Sequence, residues 1–317
     1  MVYWCCLLCL LAGNQLRLCI SNFDAMKKFL LKIGFATVCF SALIIIVYFV
    51  LQGVSKKTNA SNDGNDNVFV WGDSQMFQGL DVSLISDRLG KQVLTSACHG
   101  SGIYDFLVSE KNIPCNSLCV LSFSEAALLR NPLSDYNRTG FDVSCLKEML
   151  LSGCPVDECA RIAGLNKKSI NYSVFRTGHS LYAYADSLVY PEPLPVWHPL
   201  FEEERDWFSW KARAYKEGIQ DLYDKQSRLV LVQFPFDKQV ESFACNSINR
   251  RLTDSLKEVL IRDYALKYEE IVLVSDSLLM HDLSHVNEVG ARLATKGIAD
   301  ILSADTVNNY FVKVAIR

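Results

Sequence analysis

From residue 68 onward the chain alternates short apolar runs with longer amphipathic stretches. The runs at 68–71, 93–97, 118–123, 229–234 and 271–275 are continuously apolar or nearly so, without the in-and-out polarity of a half-exposed strand. Strands of that kind are buried on both faces, which predicts a parallel sheet covered by helices on each side. Helical patterns fall at 80–89, 145–151, 156–162, 201–226, 250–268 and 287–302, and a last apolar run at 310–315 predicts a terminal edge strand. The 201–226 helix opens on Glu202, Glu203 and Glu204, where the positive end of the helix dipole favours acid. Strand and helix in alternation predict an α/β fold of three layers.

Two regions depart from that rhythm. Between the third and fourth expected strands, residues 130–226 exceed a short crossover and read as a helical insertion that shapes a cleft, with four prolines marking 190–199 as an extended loop. Ahead of the expected domain at 68–317, the stretch 33–54 carries no charge and is long enough to cross a bilayer as a helix. It predicts one N-terminal transmembrane anchor after a segment at 1–32, with a polar linker at 55–67. Lys27, Lys28 and Lys32 before it favour an inward N-terminus, which sets the rest outside the cytoplasm, in the periplasm or at the cell exterior. For residues 1–25 two readings stand: translation starts at Met26, whose Met-Lys-Lys opening is that of a targeting segment, or the tract is a second short apolar segment.

The balance of 32 basic and 35 acidic residues, net charge −3, argues against a nucleic-acid partner. Of the twelve cysteines, Cys5, Cys6, Cys9, Cys19 and Cys39 lie in or before the expected anchor. Among the rest, Cys145, Cys154 and Cys159 are close enough in sequence for one bridge. Cys115 and Cys119 with Cys154 and Cys159 lack the tight spacing of a zinc site, so no metal is expected.

Candidate chemistry falls in two short motifs. Gly72-Asp73-Ser74 closes the first strand, at the sheet edge where ligands bind in open α/β folds. Asp282-Leu283-Ser284-His285 opens the last helical pattern, on the same rim. A serine hydroxyl needs an imidazole to take its proton and a carboxylate to hold that imidazole, and these motifs supply all three. The bland reading of Asp73-Ser74 is a helix cap. His281 with His285 also has the helical spacing of a metal pair, but a third ligand is lacking.

Gly72-Asp73-Ser74-Gln75 and Asp282-Leu283-Ser284-His285, with Asn287 and Gly290 after them, resemble the two catalytic blocks of the GDSL or SGNH hydrolase superfamily over about residues 68–304. The resemblance implies a flavodoxin-like parallel sheet between helices, with Ser74 as nucleophile, His285 as general base and Asp282 as its orienting acid. It implies an oxyanion hole from the amides of Ser74 and Gly102, or Gly100, in Cys98-His99-Gly100-Ser101-Gly102. The family's Gly-x-Asn-Asp block is absent; Leu121-Ser122-Phe123-Ser124-Glu125 stands in its place, leaving Ser122, Ser124 or Asn131 as substitute donors. Loss of one such donor typically costs about 3 kcal/mol of transition-state stabilisation.

With the anchor, the resemblance extends to bacterial envelope proteins that move acyl groups on polysaccharides. It implies a membrane-tethered serine esterase for O-acyl esters, O-acetyl foremost, acting on an O-acylated carbohydrate or small ester without a cofactor. An envelope O-acyltransferase with a membrane acyltransferase partner, and a non-catalytic glycan-binding or assembly relative, are the alternatives.

Overall fold

The apolar runs become neighbouring strands of one sheet because each carries two apolar faces, and the sheet can bury both only between helices. In the computed structural model, residues 67–129, 143–156, 159, 176–177, 200–201, 207–274, 279–304 and 307–316 are described. The chain divides into two units, Met1–Ser61 and Asn62–Arg317, and every described residue lies in the second.

The strands are β1 (Asn67–Trp71), β2 (Gln92–Thr95), β3 (Leu118–Ser122), β4 (Arg176–Thr177), β5 (Arg228–Gln233), β6 (Lys267–Leu273) and β7 (Tyr310–Ile316). Their order across the sheet is β4-β2-β1-β3-β5-β7-β6. Every pairing is parallel except β2 with β4. Side chains alternate between the faces. Val68, Val70, Val120, Val230 and Val232 point to one core, while Phe69, Trp71, Cys119, Leu121, Leu229 and Leu231 point to the other.

The valine face is covered by α1 (Ser74–Gly79), α2 (Val82–Leu89) and α9 (Glu288–Ala304), through Met76, Ile85 and Ile298 among others. The aromatic face is covered by α3 (Ile103–Glu110), α4 (Glu125–Leu129), α6 (Phe208–Asp224) and α8 (Ile248–Asp263), through Phe106, Leu128, Tyr215 and Leu260. Two further helices, α5 (Val143–Leu151) and α7 (Lys238–Ala244), flank this side. Each buried aliphatic side chain contributes roughly 1.5–3 kcal/mol. Helix ends follow local chemistry: Asp81 accepts from the amides of Ser83 and Leu84 to start α2, and Gly90 at φ 62° ends it.

Because α2 follows β1 on the valine face while α4 follows β3 on the aromatic face, the chain leaves these adjacent strands in opposite directions. That divergence opens a crevice at their carboxyl ends, the position ligands occupy in such sheets.

Three expectations are corrected here. The fold is an α/β domain with a central, mainly parallel sheet, and no membrane helix belongs to that description: among the described residues no helix is long and apolar enough to cross a membrane. The stretch expected to do so, 33–54, lies outside the described residues. With the anchor go the single-pass tether, the outward-facing location and the membrane acyltransferase partner, all of which rested on it. Second, the terminal strand is not an edge. β7 inserts between β5 and β6, so its apolar run Tyr310–Ile316 is shielded on both sides. β6, which begins Lys267-Tyr268-Glu269-Glu270, takes the outer place, where charged side chains reach water. Third, α8 ends at Asp263 rather than 268, and the residues after it pair as β6. Of the expected helical insertion at 130–226, the structure describes α5, α6 and the short strand β4, which pairs with β2; the loop at 190–199 and Asn131 lie outside the described residues.

Candidate active site

Ser74 stands at the first turn of α1, directly after β1. Asp73, wholly buried, caps that helix: one carboxylate oxygen accepts from the Gln75 amide at 3.2 Å, and the other accepts the Ser124 hydroxyl proton at 2.5 Å. Gly72 is required by close approach. A Cβ there would lie 2.3 Å from Cβ of Met76 and 2.9 Å from Cβ of Ser122, closer than real atoms pack. The turn therefore brings β1, α1 and the end of β3 together without a side chain between them.

Residues 279–287 form the second half. The loop doubles back on itself, with Met280 bridging Val286 and the Asn287 amide donating to the Leu279 carbonyl at 2.8 Å. Inside it, the Asp282 carboxylate is the organising group. Its Oδ1 accepts from the backbone amides of Ser284 at 2.7 Å and His285 at 2.8 Å, while Oδ2 meets Nδ1 of His285 at 2.7 Å. Burial by itself would raise this carboxyl. The hydrogen bond and charge of His285, with the two amides, outweigh burial and hold it below the usual carboxylate range.

The loop then reaches the side of the sheet that bears Ser74. Nε2 of His285 lies 2.8 Å from Oγ of Ser74, a contact between residues 211 positions apart. Gln75 fastens the two halves by donating from its side chain to the Ser284 carbonyl at 2.9 Å and to the Pro235 carbonyl at 3.5 Å. The Asp237 amide donates to the Leu283 carbonyl at 2.9 Å, tying the loop to the end of β5. Hydroxyl, imidazole and carboxylate are thus linked in succession through the two ring nitrogens. That arrangement lets an imidazole take a hydroxyl proton while the carboxylate holds the ring's other nitrogen.

The remaining candidates are placed differently. As the first residue of α1, Ser74 has a backbone amide with no intrahelical acceptor. The Gly102 amide is already engaged, donating to Oδ2 of Asp105 at 3.0 Å as the start of α3. Gly100 lies in the turn closed by the Ser101 amide on the Cys98 carbonyl, at φ 70°, a left-handed conformation that suits glycine. Ser124 gives its proton to Asp73, and Ser122 is buried beneath Gly72, its carbonyl accepting from the Tyr215 phenol. His281 donates its backbone amide to the His285 carbonyl, and among the described residues no group of three metal-ligating side chains is found. Cys154 and Cys159 are buried thiols.

Gln75 and the Asp73–Ser124 contact carry no sequence signal of their own, because each depends on which distant backbone folding brings alongside.

No family model matches the chain, and no curated protein matches it. The resemblance to the GDSL or SGNH superfamily, carried by two short motifs, is corrected accordingly: membership is not supported. The functional expectation built on it also falls. A membrane-tethered, extracytoplasmic esterase of O-acyl esters has no membrane-crossing helix among the described residues to tether it. The envelope acyltransferase and glycan-binding alternatives drew on the same resemblance and the same anchor.

Proposed function

We propose that this chain is an ester hydrolase or acyl-transfer enzyme whose nucleophile is Ser74. The observation that carries the reading is the 2.8 Å contact between Nε2 of His285 and Oγ of Ser74, with Asp282 on the opposite ring nitrogen. In this reading His285 takes the hydroxyl proton as Ser74 attacks an ester carbonyl, then returns a proton to the leaving alcohol. The Asp282 carboxylate keeps Nδ1 protonated and stabilises the imidazolium that forms. The Ser74 amide stabilises the developing oxyanion, with Gly100 the remaining candidate for a second donor because the Gly102 amide serves Asp105.

The test is hydrolysis of p-nitrophenyl acetate by the full chain. Ser74→Ala and His285→Ala are each expected to lower kcat by about 10⁴-fold or more, and a fluorophosphonate probe is expected to label wild type but not Ser74→Ala. Undiminished turnover by Ser74→Ala would refute the reading.

A further inference from the structure

The loop that carries Asp282 and His285 places a third side chain on their contact. Ser284 is buried, and its hydroxyl turns back onto the pair: Oγ lies 3.0 Å from Nδ1 of His285 and 3.2 Å from Oδ1 of Asp282. It therefore meets the ring nitrogen opposite the one that contacts Ser74.

The neighbouring acceptors decide where the protons sit. Nδ1 of His285 lies 2.7 Å from Oδ2 and 2.9 Å from Oδ1 of Asp282, and an ionised carboxylate can only accept, so Nδ1 carries a proton. Towards that N–H the Ser284 oxygen can only accept, which leaves its own proton for Oδ1 of Asp282. The negative end of the hydroxyl dipole thus faces the ring, and its positive end faces the acid.

The backbone of Ser284 has a separate part. Its amide donates to Oδ1 of Asp282 at 2.7 Å, and its carbonyl accepts from the Gln75 side chain at 2.9 Å. Leu283 and Val286 on either side seat the loop in the core. None of these contacts uses the hydroxyl, so its contribution falls on charge at the ring. A neutral imidazole has one N–H to satisfy at Nδ1, and Asp282 satisfies it. When the ring takes a second proton on Nε2, positive charge spreads to Nδ1, and a further oxygen 3.0 Å away gains most at that moment.

We infer that Ser284 is a positioning residue for acyl transfer, giving its proton to the Asp282 carboxylate and its oxygen to the Nδ1–H of His285, so that the imidazolium is favoured as Ser74 loses its proton. The inference rests on the proposed acyl-transfer reading and adds a fourth side chain to it.

Ser284→Ala removes one buried oxygen and keeps both backbone bonds. With p-nitrophenyl acetate and the full chain, kcat is expected to fall about tenfold at unchanged KM, because the contact strengthens only as the ring becomes charged. In nitrogen-15 histidine-labelled protein, the Nδ1 proton of His285, assigned by its loss in His285→Ala, is expected to shift in Ser284→Ala while the other histidine signals stay in place. Wild-type kcat in the variant, a fall confined to KM, or an unmoved Nδ1 proton would overturn the inference. Collapse of the fold in Ser284→Ala would do so as well, since the hydroxyl would then be holding the loop. A wild type that neither hydrolyses the ester nor takes the fluorophosphonate label would defeat the acyl-transfer reading itself; an active, labelled wild type beside an equally active Ser284→Ala defeats this inference alone.

Discussion

The two halves of the candidate site are held by different forces. At the β1–α1 junction, shape dominates: Gly72 lets Met76 and Ser122 close on the backbone, and Asp73 is sealed beneath them. In the 279–287 loop, which seats Leu279, Leu283 and Val286 in the core, one carboxylate gathers two amides and the imidazole. Both halves are seated on the core, but the junction is set by close packing, whereas the polar groups of the loop are set by the Asp282 carboxylate. Damage to the first should appear as lost stability, and damage to the second as lost chemistry with the fold intact.

The sharpest way to break that contrast is Asp282→Asn. An amide oxygen can still accept from the loop amides, but Nδ1 of His285 loses its anionic partner. Turnover of p-nitrophenyl acetate is expected to fall by about 10⁴-fold, with the thermal midpoint little changed. A large stability loss would show that the carboxylate, and not the buried apolar side chains, holds the loop in place. Gly72→Ala should do the reverse. Forcing a Cβ against Met76 and Ser122 is expected to cost about 1–3 kcal/mol in urea unfolding, and a neutral result would deny the close packing. Asp73→Ala removes a helix cap and strands the Ser124 hydroxyl, at an expected cost of about 1–2 kcal/mol.

The pH dependences of two buried acids have opposite signs. Asp282 is depressed in the fold, so its contribution is present above its unfolded value and is lost as pH falls through the lower folded value. Glu125 is raised to about 7, so its contribution is full below its unfolded value and is lost as pH rises towards and through 7. Thermal midpoints measured across that range should therefore decline with rising pH in wild type and decline less in Glu125→Gln. The smallest effect is expected from the exposed Arg88–Asp300 pair, 2.7 Å apart: Arg88→Ala should change stability by less than about 1 kcal/mol.

Much of the sheet was legible because its strands announce themselves locally. The valine and leucine runs at β1, β3 and β5 have no polar face, so they fit only inside a covered sheet. Lateral order was harder to read. The charges of Lys267, Glu269 and Glu270 against the apolar run of β7 do favour placing β6 outside, but their consequence appears only when the two strands compete for one position. In the site, Asp282 and His285 meet through a tight turn, which a three-residue spacing makes easy. Gly102 shows the opposite. The resemblance implied an available amide there, yet Asp105 takes that amide to begin α3.

What the chain's own order determined is local: which runs bury two faces, where Asp81 or Ser247 can start a helix, and that Asp282 can grip His285 within one turn. Tertiary structure alone decided that Nε2 of His285 reaches Ser74 across the sheet, that Gln75 fastens the two halves, and that Ser124 serves Asp73. The reason is physical. Local preferences arise from backbone sterics and hydrogen bonds a few residues apart, whereas a polar group's final partner is settled by whichever groups the packed core leaves within its reach.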